Sequence, residues 1–292
     1  MINDRGIFVY YCIVNPAAGR GKGRKLIAVI ESFMAAHGKE VKISENFVTE
    51  QALNSQAIIS VGGDGTLQEV VSQMLASQDR CDTPLCVIPC GSGNDWQRSV
   101  NIGKTPEACL QALINGKTRA IDAIRTNDSA NINIANIGLD VEIVKRAQPL
   151  KKIFGTKSYT ISAFISIVLH KNKPMTIHID DEEYANSNYT LIAICNGQYY
   201  GGGMRIAPSA VIDDGKITLC VVSALSRLQC LRLFPLVLME RHTKLKAIKY
   251  IDCQKVTITP QNQQSLSLDG NIYESAGMLN FKILPAAIQI SE

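Results

Sequence analysis

The stretch Val61-Gly62-Gly63-Asp64-Gly65-Thr66 constrains this chain more than any other. It follows a short apolar run, Ala57-Ile58-Ile59-Ser60-Val61, that reads as a buried strand. It precedes residues 67–75, whose apolar side chains recur at helical spacing. The order is strand, glycine turn, helix. Adjacent glycines let the backbone approach a bulky anion, and the free N–H groups of the next helix's first turn can bind it. Asp64 puts a carboxylate into the same turn, where alone it would repel phosphate. A divalent cation bridging the two removes the conflict. One reading is therefore a Mg-nucleotide site. The other is a plain tight turn, with Thr66 and Glu69 at the spacing of a capping box.

The same pattern recurs on either side. Residues 7–14 are almost continuously apolar, as in a central strand covered on both faces. Asn15-Pro16-Ala17-Ala18-Gly19-Arg20-Gly21-Lys22-Gly23 follows, then a helix expected over 24–36, with Arg20, Lys22, Arg24 and Lys25 adding positive charge. This loop has neither P-loop nor dinucleotide spacing, and by itself reads as a solvated connection. A second strand is expected over 41–48, ending near Thr49, and a fourth over 85–89. The fourth runs into Cys90-Gly91-Ser92-Gly93-Asn94-Asp95 and a helix start at Trp96. Strands alternating with helices over the first 125 residues or so predict a doubly wound parallel sheet. Loops at the carboxyl ends of such strands gather along one edge, where ligands bind. Three small-residue loops should thus converge, with Ser92 offering a hydroxyl to phosphate and Asp95 a second carboxylate to a cation.

After a helix over 105–114 the texture changes. Strand-like segments dominate at 118–124, 131–137, 175–179, 189–195, 216–222, 255–259, 266–268 and 279–284, interrupted by helical stretches at 158–169 and 226–239. This predicts a first domain over 1–126 and a mainly antiparallel β-sandwich over 127–292, whose last segment could return to the first domain. Asp213-Asp214-Gly215 and Leu268-Asp269-Gly270-Asn271 carry hairpin-turn chemistry. Gly201-Gly202-Gly203, after Tyr199-Tyr200, either lines a cleft between the domains or merely connects. A net charge of +4 is too mild to argue for nucleic acid. Nine scattered cysteines and the lack of a leader sequence point to reduced thiols in the cytoplasm. The one cluster, Cys81, Cys86 and Cys90, has no histidine near it in sequence and is not read as a metal site. The longest apolar run, 159–169, is too short to span a bilayer.

Taken in order, Asn15-Pro16-Ala17-Ala18-Gly19, Gly62-Gly63-Asp64-Gly65-Thr66, Gly91-Ser92-Gly93-Asn94-Asp95, Ala207-Pro208 with Asp213-Asp214-Gly215, and Leu268-Asp269-Gly270 resemble the bacterial diacylglycerol kinase-like lipid kinases. Relatives of that family act on phosphatidylglycerol and, more distantly, on sphingosine and ceramide. Gly-Gly-Asp-Gly-Thr alone is shared with NAD kinases and phosphofructokinase-like folds. The resemblance implies an α/β nucleotide domain of the NAD kinase/phosphofructokinase type, then a β-sandwich, with ATP in the cleft between them. ATP contacts would fall on Asn15, Pro16, Ala17, Ala18, Gly19, Thr49, Gly63, Asp64, Gly65, Thr66, Leu67, Gln68, Glu69 and Ser92. A catalytic Mg²⁺ would be organised by Asp64 and Asp95. A structural Mg²⁺ would be held by the Asp214 side chain, with Val211 and Lys216 offering carbonyls. The family's last motif is usually Asp-Gly-Glu, the glutamate serving as base for the lipid hydroxyl. Here Asn271 stands in its place, and an amide cannot accept a proton at neutral pH. Asp269 or Glu274 would take that role, or transfer would rest on positioning and charge neutralisation.

The resemblance thus implies an ATP- and Mg²⁺-dependent kinase for a membrane lipid, diacylglycerol first among candidates. Such an enzyme reaches its lipid from the cytoplasmic surface. Lys145, Arg146, Lys151, Lys152, Lys157, Lys171 and Lys173 could face anionic headgroups, or form an ordinary solvated surface. Two other readings stand beside it. One is a soluble-substrate kinase of the NAD kinase type. The other, motivated by Asn271, is a nucleotide-binding regulatory protein with weakened chemistry. A homodimer is compatible with the sequence.

Overall fold

The first apolar run becomes β1 (Val9–Val14), buried along its whole length. The chain then alternates through α1 (Ala18–Ala36), β2 (Glu40–Ser44), α2 (Thr49–Leu53), β3 (Ile58–Gly62), α3 (Asp64–Met74), β4 (Cys81–Pro89), a 3-10 turn at Trp96–Ser99 and α4 (Pro106–Asn115). The strands pair in parallel in the order β2-β1-β3-β4. Ile30 and Met34 of α1 pack with Leu110 and Leu113 of α4 on one face of this sheet. Ala52 of α2 and Val70, Val71 and Met74 of α3 pack on the other. That is why its central strands are apolar throughout rather than alternating. This computed structural model describes residues 9–100, 102–154, 157–275 and 277–292.

The second half comprises β5 (Thr118–Thr126), β6 (Ser129–Asn131), β7 (Ile134–Gly138), α5 (Leu139–Phe154), α6 (Lys157–Leu169), β8 (Lys173–Ile179), β9 (Glu182–Cys195), β10 (Tyr199–Tyr200), β11 (Met204–Arg205), β12 (Ile217–Ser223), α7 (Arg227–Leu238), β13 (Ile248–Cys253), β14 (Lys255–Pro260), β15 (Gln264–Leu268), β16 (Asn271–Ser275) and β17 (Leu279–Ser291). Antiparallel pairing runs β16-β15-β7-β9-β8-β14-β17, and β12 and β13 extend from β9. Ile177, Ile192, Leu219, Val256, Leu266 and Phe281 share the sandwich interior. On the outer face of the β9–β12 layer, Leu191 and Val222 pack with Ile143, Ile167 and Val237 from α5, α6 and α7.

β17 serves both halves. Its first residues pair antiparallel with β14, and Ile288 and Ile290 pair in parallel with β4. The change of partner falls at a bulge between Leu284 and Ile288, where Ala286 takes φ 49°. Asp122 holds that bend. Its carboxylate accepts from Ala286 N at 2.8 Å and from Gly215 N at 2.7 Å, tying β17 to the Asp213–Gly215 turn.

Three sequence expectations change. β2 stops at Ser44, so Thr49 opens a short helix rather than ending a strand. The segment 131–137 is not one strand, because the N–H groups of residues 132–134 turn onto a buried carboxylate instead of a ladder. α5 was not among the expected helices. Lys145, Arg146, Lys151 and Lys152 fall within its sequence, and Pro149 sits inside it.

Candidate active site

The three glycine loops meet at the carboxyl edge of the parallel sheet. Asn15 Nδ2 donates to Thr66 Oγ1 at 3.2 Å, joining the first loop to the second. A Cβ on Gly19 would lie 2.1 Å from the carbonyl oxygen of Cys90, and one on Gly91 would lie 2.5 Å from Gly63 Cα. Glycine is required at both positions because backbone is packed on backbone. Gly19, Arg20 and Gly21 are all left-handed, which arches the first loop before α1 proper begins. Thr66 is not part of a capping box. α3 starts at Asp64 with Gly63 as its N-cap, so Thr66 lies inside the first turn and its hydroxyl serves the first loop.

Asp64 and Asp95 flank Gly93. A Cβ there would stand 2.9 Å from Asp64 Oδ2 and 3.4 Å from Asp95 Oδ2. Asp64 Oδ1 accepts from Trp96 N at 3.2 Å. Asp95 Oδ2 accepts from Gly202 N at 2.8 Å, so the glycine loop of the second half lines the cleft. Burial raises both carboxyls, and surrounding backbone N–H groups oppose the rise. Asp95 is pushed up to about 6, the nearby Asp64 charge adding to its burial. Its Oδ1 has no hydrogen-bond partner among the described residues, although the Arg98 guanidinium stands 3.6 Å away. Two facing carboxylates beside a phosphate cradle suit Mg²⁺, which is held by one or two carboxylates with phosphate oxygens and water. Among the described residues no group of three or more His, Cys, Asp or Glu could hold a metal.

The Asp213–Gly215 turn, where a structural Mg²⁺ was expected, is tied down by contacts of its own. Here Asp213 is bound by Arg119 at 2.7 Å, Asp214 Oδ1 accepts from Lys216 N at 3.0 Å, and Asp122 is engaged by two backbone amides. Val211, expected to lend a carbonyl, lies on an exposed stretch. Asp122 and Arg119 thus brace the turn.

Among the other expected contacts, Pro16, Ala17 and Ala18 lie in or just after the first loop, with Ala17 N donating to Asn15 Oδ1. Ser92 is exposed on the third loop, and Thr49 and Glu69 are exposed at the starts of α2 and on α3. Leu67 is largely buried yet lines the pocket at the Asp64 turn, whereas Gln68 is fully buried with its amide saturated. Gln68 donates to Ala130 O and Ser129 Oγ and accepts from Asn271 Nδ2 and Tyr273 OH. It braces the turn from beneath.

The candidate bases separate by strand alternation. Asn271 and Tyr273 both reach Gln68, and Asn271 also donates to Gly65 O at 3.0 Å. Glu274, one residue beyond Tyr273, faces the other way onto Lys145 and Ser265. Asp269 is buried. Its carboxylate accepts from the backbone N–H of Ile132, Asn133 and Ile134 and from Asn131 Nδ2, at 2.8–3.2 Å. Burial pushes it up to about 7 against the pull of those donors. Its acceptor capacity is spent on the 131–134 segment, which makes it an anchor rather than a free base.

A second feature is absent from the sequence reading. An apolar pocket lies among α5, α6, α7 and the sheet, lined by Ile143, Ile167, Leu191, Leu233, Phe234 and Val237. One end is polar. There Asp140 is fully buried and pushed up to about 7 by desolvation, with a hydrogen bond to Tyr200 opposing the rise. Asp140 Oδ2 and the Tyr159 hydroxyl have no hydrogen-bond partner among the described residues. Tyr159 lies against Gly201, one residue from the amide that binds Asp95. The available signal was Gly138-Leu139-Asp140: Gly138 has φ 100°, and a Cβ there would strike Thr190 O at 2.5 Å.

Residues 9–126 match the diacylglycerol kinase catalytic domain, and residues 133–292 match the YegS C-terminal NAD kinase beta sandwich-like domain. A "Probable lipid kinase YegS-like" of Shewanella frigidimarina is 29% identical over 83% of this chain and 79% of its own length. A diacylglycerol kinase of Mycobacterium tuberculosis is 27% identical over 82% and 77%. In fold, the chain is similar to a diacylglycerol kinase structure from Bacillus anthracis, with a TM-score of 0.71, 19% identity and coverage of 97% and 96%. It is also similar to an NAD kinase from Archaeoglobus fulgidus in complex with ATP, with a TM-score of 0.58, 14% identity and coverage of 97% and 93%. A catalytic half and a sandwich half of matching kind, joined around a carboxylate pair at the sheet edge, make this chain a member of the YegS-like diacylglycerol and lipid kinase family, a phosphotransferase.

Proposed function

We propose that this enzyme transfers the γ-phosphoryl group of ATP, with Mg²⁺, to a hydroxyl of a membrane lipid, diacylglycerol first among acceptors. One observation carries the choice of acceptor: an apolar cavity ends in unpartnered polar groups next to the Asp64–Asp95 pair. The N–H groups of the first turn of α3 and of the left-handed first loop cradle the phosphates, with Arg20 and Lys22 adding charge. Asp64 and Asp95 would hold Mg²⁺, which would supply charge neutralisation on the transferred group. Asp140 and Tyr159 orient the acceptor's polar end, and the cavity takes its acyl chain. Asp95, whose Oδ2 accepts from Gly202 N beside Tyr159, lies toward the cavity's polar end, where the acceptor hydroxyl would arrive. It accepts that proton directly or through water.

Fold likeness to an ATP-bound NAD kinase supports a soluble acceptor, but a cavity lined by aliphatic side chains suits acyl chains better. The regulatory reading rests on Asn271, whose amide donates to Gly65 O and Gln68 Oε1 and so gives it a bracing role beneath Asp64. The test is transfer of labelled γ-phosphate to diacylglycerol, phosphatidylglycerol, ceramide and NAD, the lipids in mixed micelles. Labelled diacylglycerol is expected, with a loss of about a hundredfold or more in Asp64→Ala. Equal turnover by that variant, or label on NAD alone, refutes the reading.

A further inference from the structure

α6 is built inside out. It turns Ser162, Ser166 and His170 into the protein, each at most 5% exposed, while Phe164, Ile165, Val168 and Leu169 face solvent at 39–60%. A surface helix ordinarily buries its apolar stripe and wets the polar one. α7 packs beside it and adds Leu228, Leu238 and Met239, each more than half exposed. Scattered exposed apolar residues are ordinary, but two adjacent helices presenting them together mark an interaction surface. These helices also roof the apolar cavity, through Tyr159 and Ile167 of α6 and Leu233, Phe234 and Val237 of α7.

Charge identifies the occupant. Neither α6 nor α7 carries an Asp or Glu. Lys171, Arg227, Arg232, Arg241, Lys244 and Lys246 are exposed around them, and Glu240, the one acid over 226–246, lies 3.4 Å from Arg205. The basic residues singled out from sequence are mostly committed elsewhere. Lys145 pairs with Glu274, and Arg146 and Lys173 with Glu142. The side chains of Lys151, Lys152 and Lys157 lie outside the described residues. A second copy docking by the same face would set cations against cations. An apolar stripe rimmed by lysine and arginine suits the headgroup–acyl boundary of an anionic bilayer.

We propose that the exposed face of α6 and α7 inserts into an anionic membrane surface, so that the cavity roof lies in the lipid and an acyl chain enters between the two helices without crossing water. The proposal rests on the reading of the acceptor as a membrane lipid, but its test separates the two. The full chain is sedimented with vesicles of phosphatidylcholine and phosphatidylglycerol, and with phosphatidylcholine alone. Expected is binding to the mixed vesicles, weaker on phosphatidylcholine alone and in high salt. The pairs Phe164→Ser with Leu169→Ser, and Leu228→Ser with Met239→Ser, should each lower the partition coefficient about tenfold or more. Circular dichroism should be unchanged, as should turnover of a short-chain, monomeric diacylglycerol. Variants that bind vesicles like the wild type overturn the proposal. So does a dimer in solution that these substitutions dissociate while vesicles remain unbound. Vesicle binding through these residues without phosphorylation of any lipid overturns the functional reading and leaves the docking surface intact.

Discussion

Asp95→Asn should make the metal-free protein more stable and the enzyme nearly inactive. Asp95 is 6% exposed, faces Asp64, and is pushed from 3.8 to about 6 by burial, with the Asp64 charge adding to the rise. The folded state therefore binds this proton more tightly than the unfolded chain, whose carboxyl titrates near 3.9. The group's contribution to stability is fully present below about pH 4, falls as pH rises, and is gone above about pH 6. A rise of this size corresponds to about 3 kcal/mol. Asparagine does not titrate, and its carbonyl can still accept from Gly202 N. At pH 8 the variant should exceed wild type by about 1–3 kcal/mol, and at pH 4 the two should coincide. Urea unfolding in chelator, followed by fluorescence of Trp96, the only tryptophan, measures the difference directly. A variant equal to or weaker than wild type at pH 8, or a gap that does not close toward pH 4, would refute the reasoning.

Gly91→Ala should drive the second and third loops apart, because its Cβ would stand 2.5 Å from Gly63 Cα and 2.9 Å from Asn94 Oδ1. Calorimetry with ADP and Mg²⁺ should show affinity down about tenfold or more, with a loss of about 1–3 kcal/mol in stability. Asp269→Asn turns one acceptor into a donor facing backbone N–H groups and weakens the remaining bonds, costing about 2–4 kcal/mol. Its thermal midpoint should fall by several degrees, whereas a purely catalytic role would leave the midpoint unmoved.

The order strand, glycine turn, helix was legible because it is local. A right-handed parallel sheet leaves only one edge for those turns, so Gly19, Gly63 and Gly91 had to crowd together once the alternation was read. Asp64 and Asp95 were found the same way, as carboxylates inside turns shaped for an anion. The side-chain roles were less accessible. Gln68 belongs to the same first turns as Asp64, yet helical rotation sends it into the core. Glu274 and Asn271 differ only by the alternation of β16, which decides which of them sees the site.

Sequence by itself thus determined the carboxyl-edge cradle, since backbone approach there admits nothing larger than glycine. Tertiary structure alone decided the rest. Asp269 became an anchor because the 131–134 segment, far away in sequence, aims its N–H groups at it. Asp140 came to line a pocket because α5, α6 and α7 leave space beside it. Periodicity fixed that α6 is a helix and could not say which side faces in. That depends on what packs against it, here chiefly α5, whose Arg146 and Glu142 meet Ser166 and His170 while the phenylalanine and leucine stay outside.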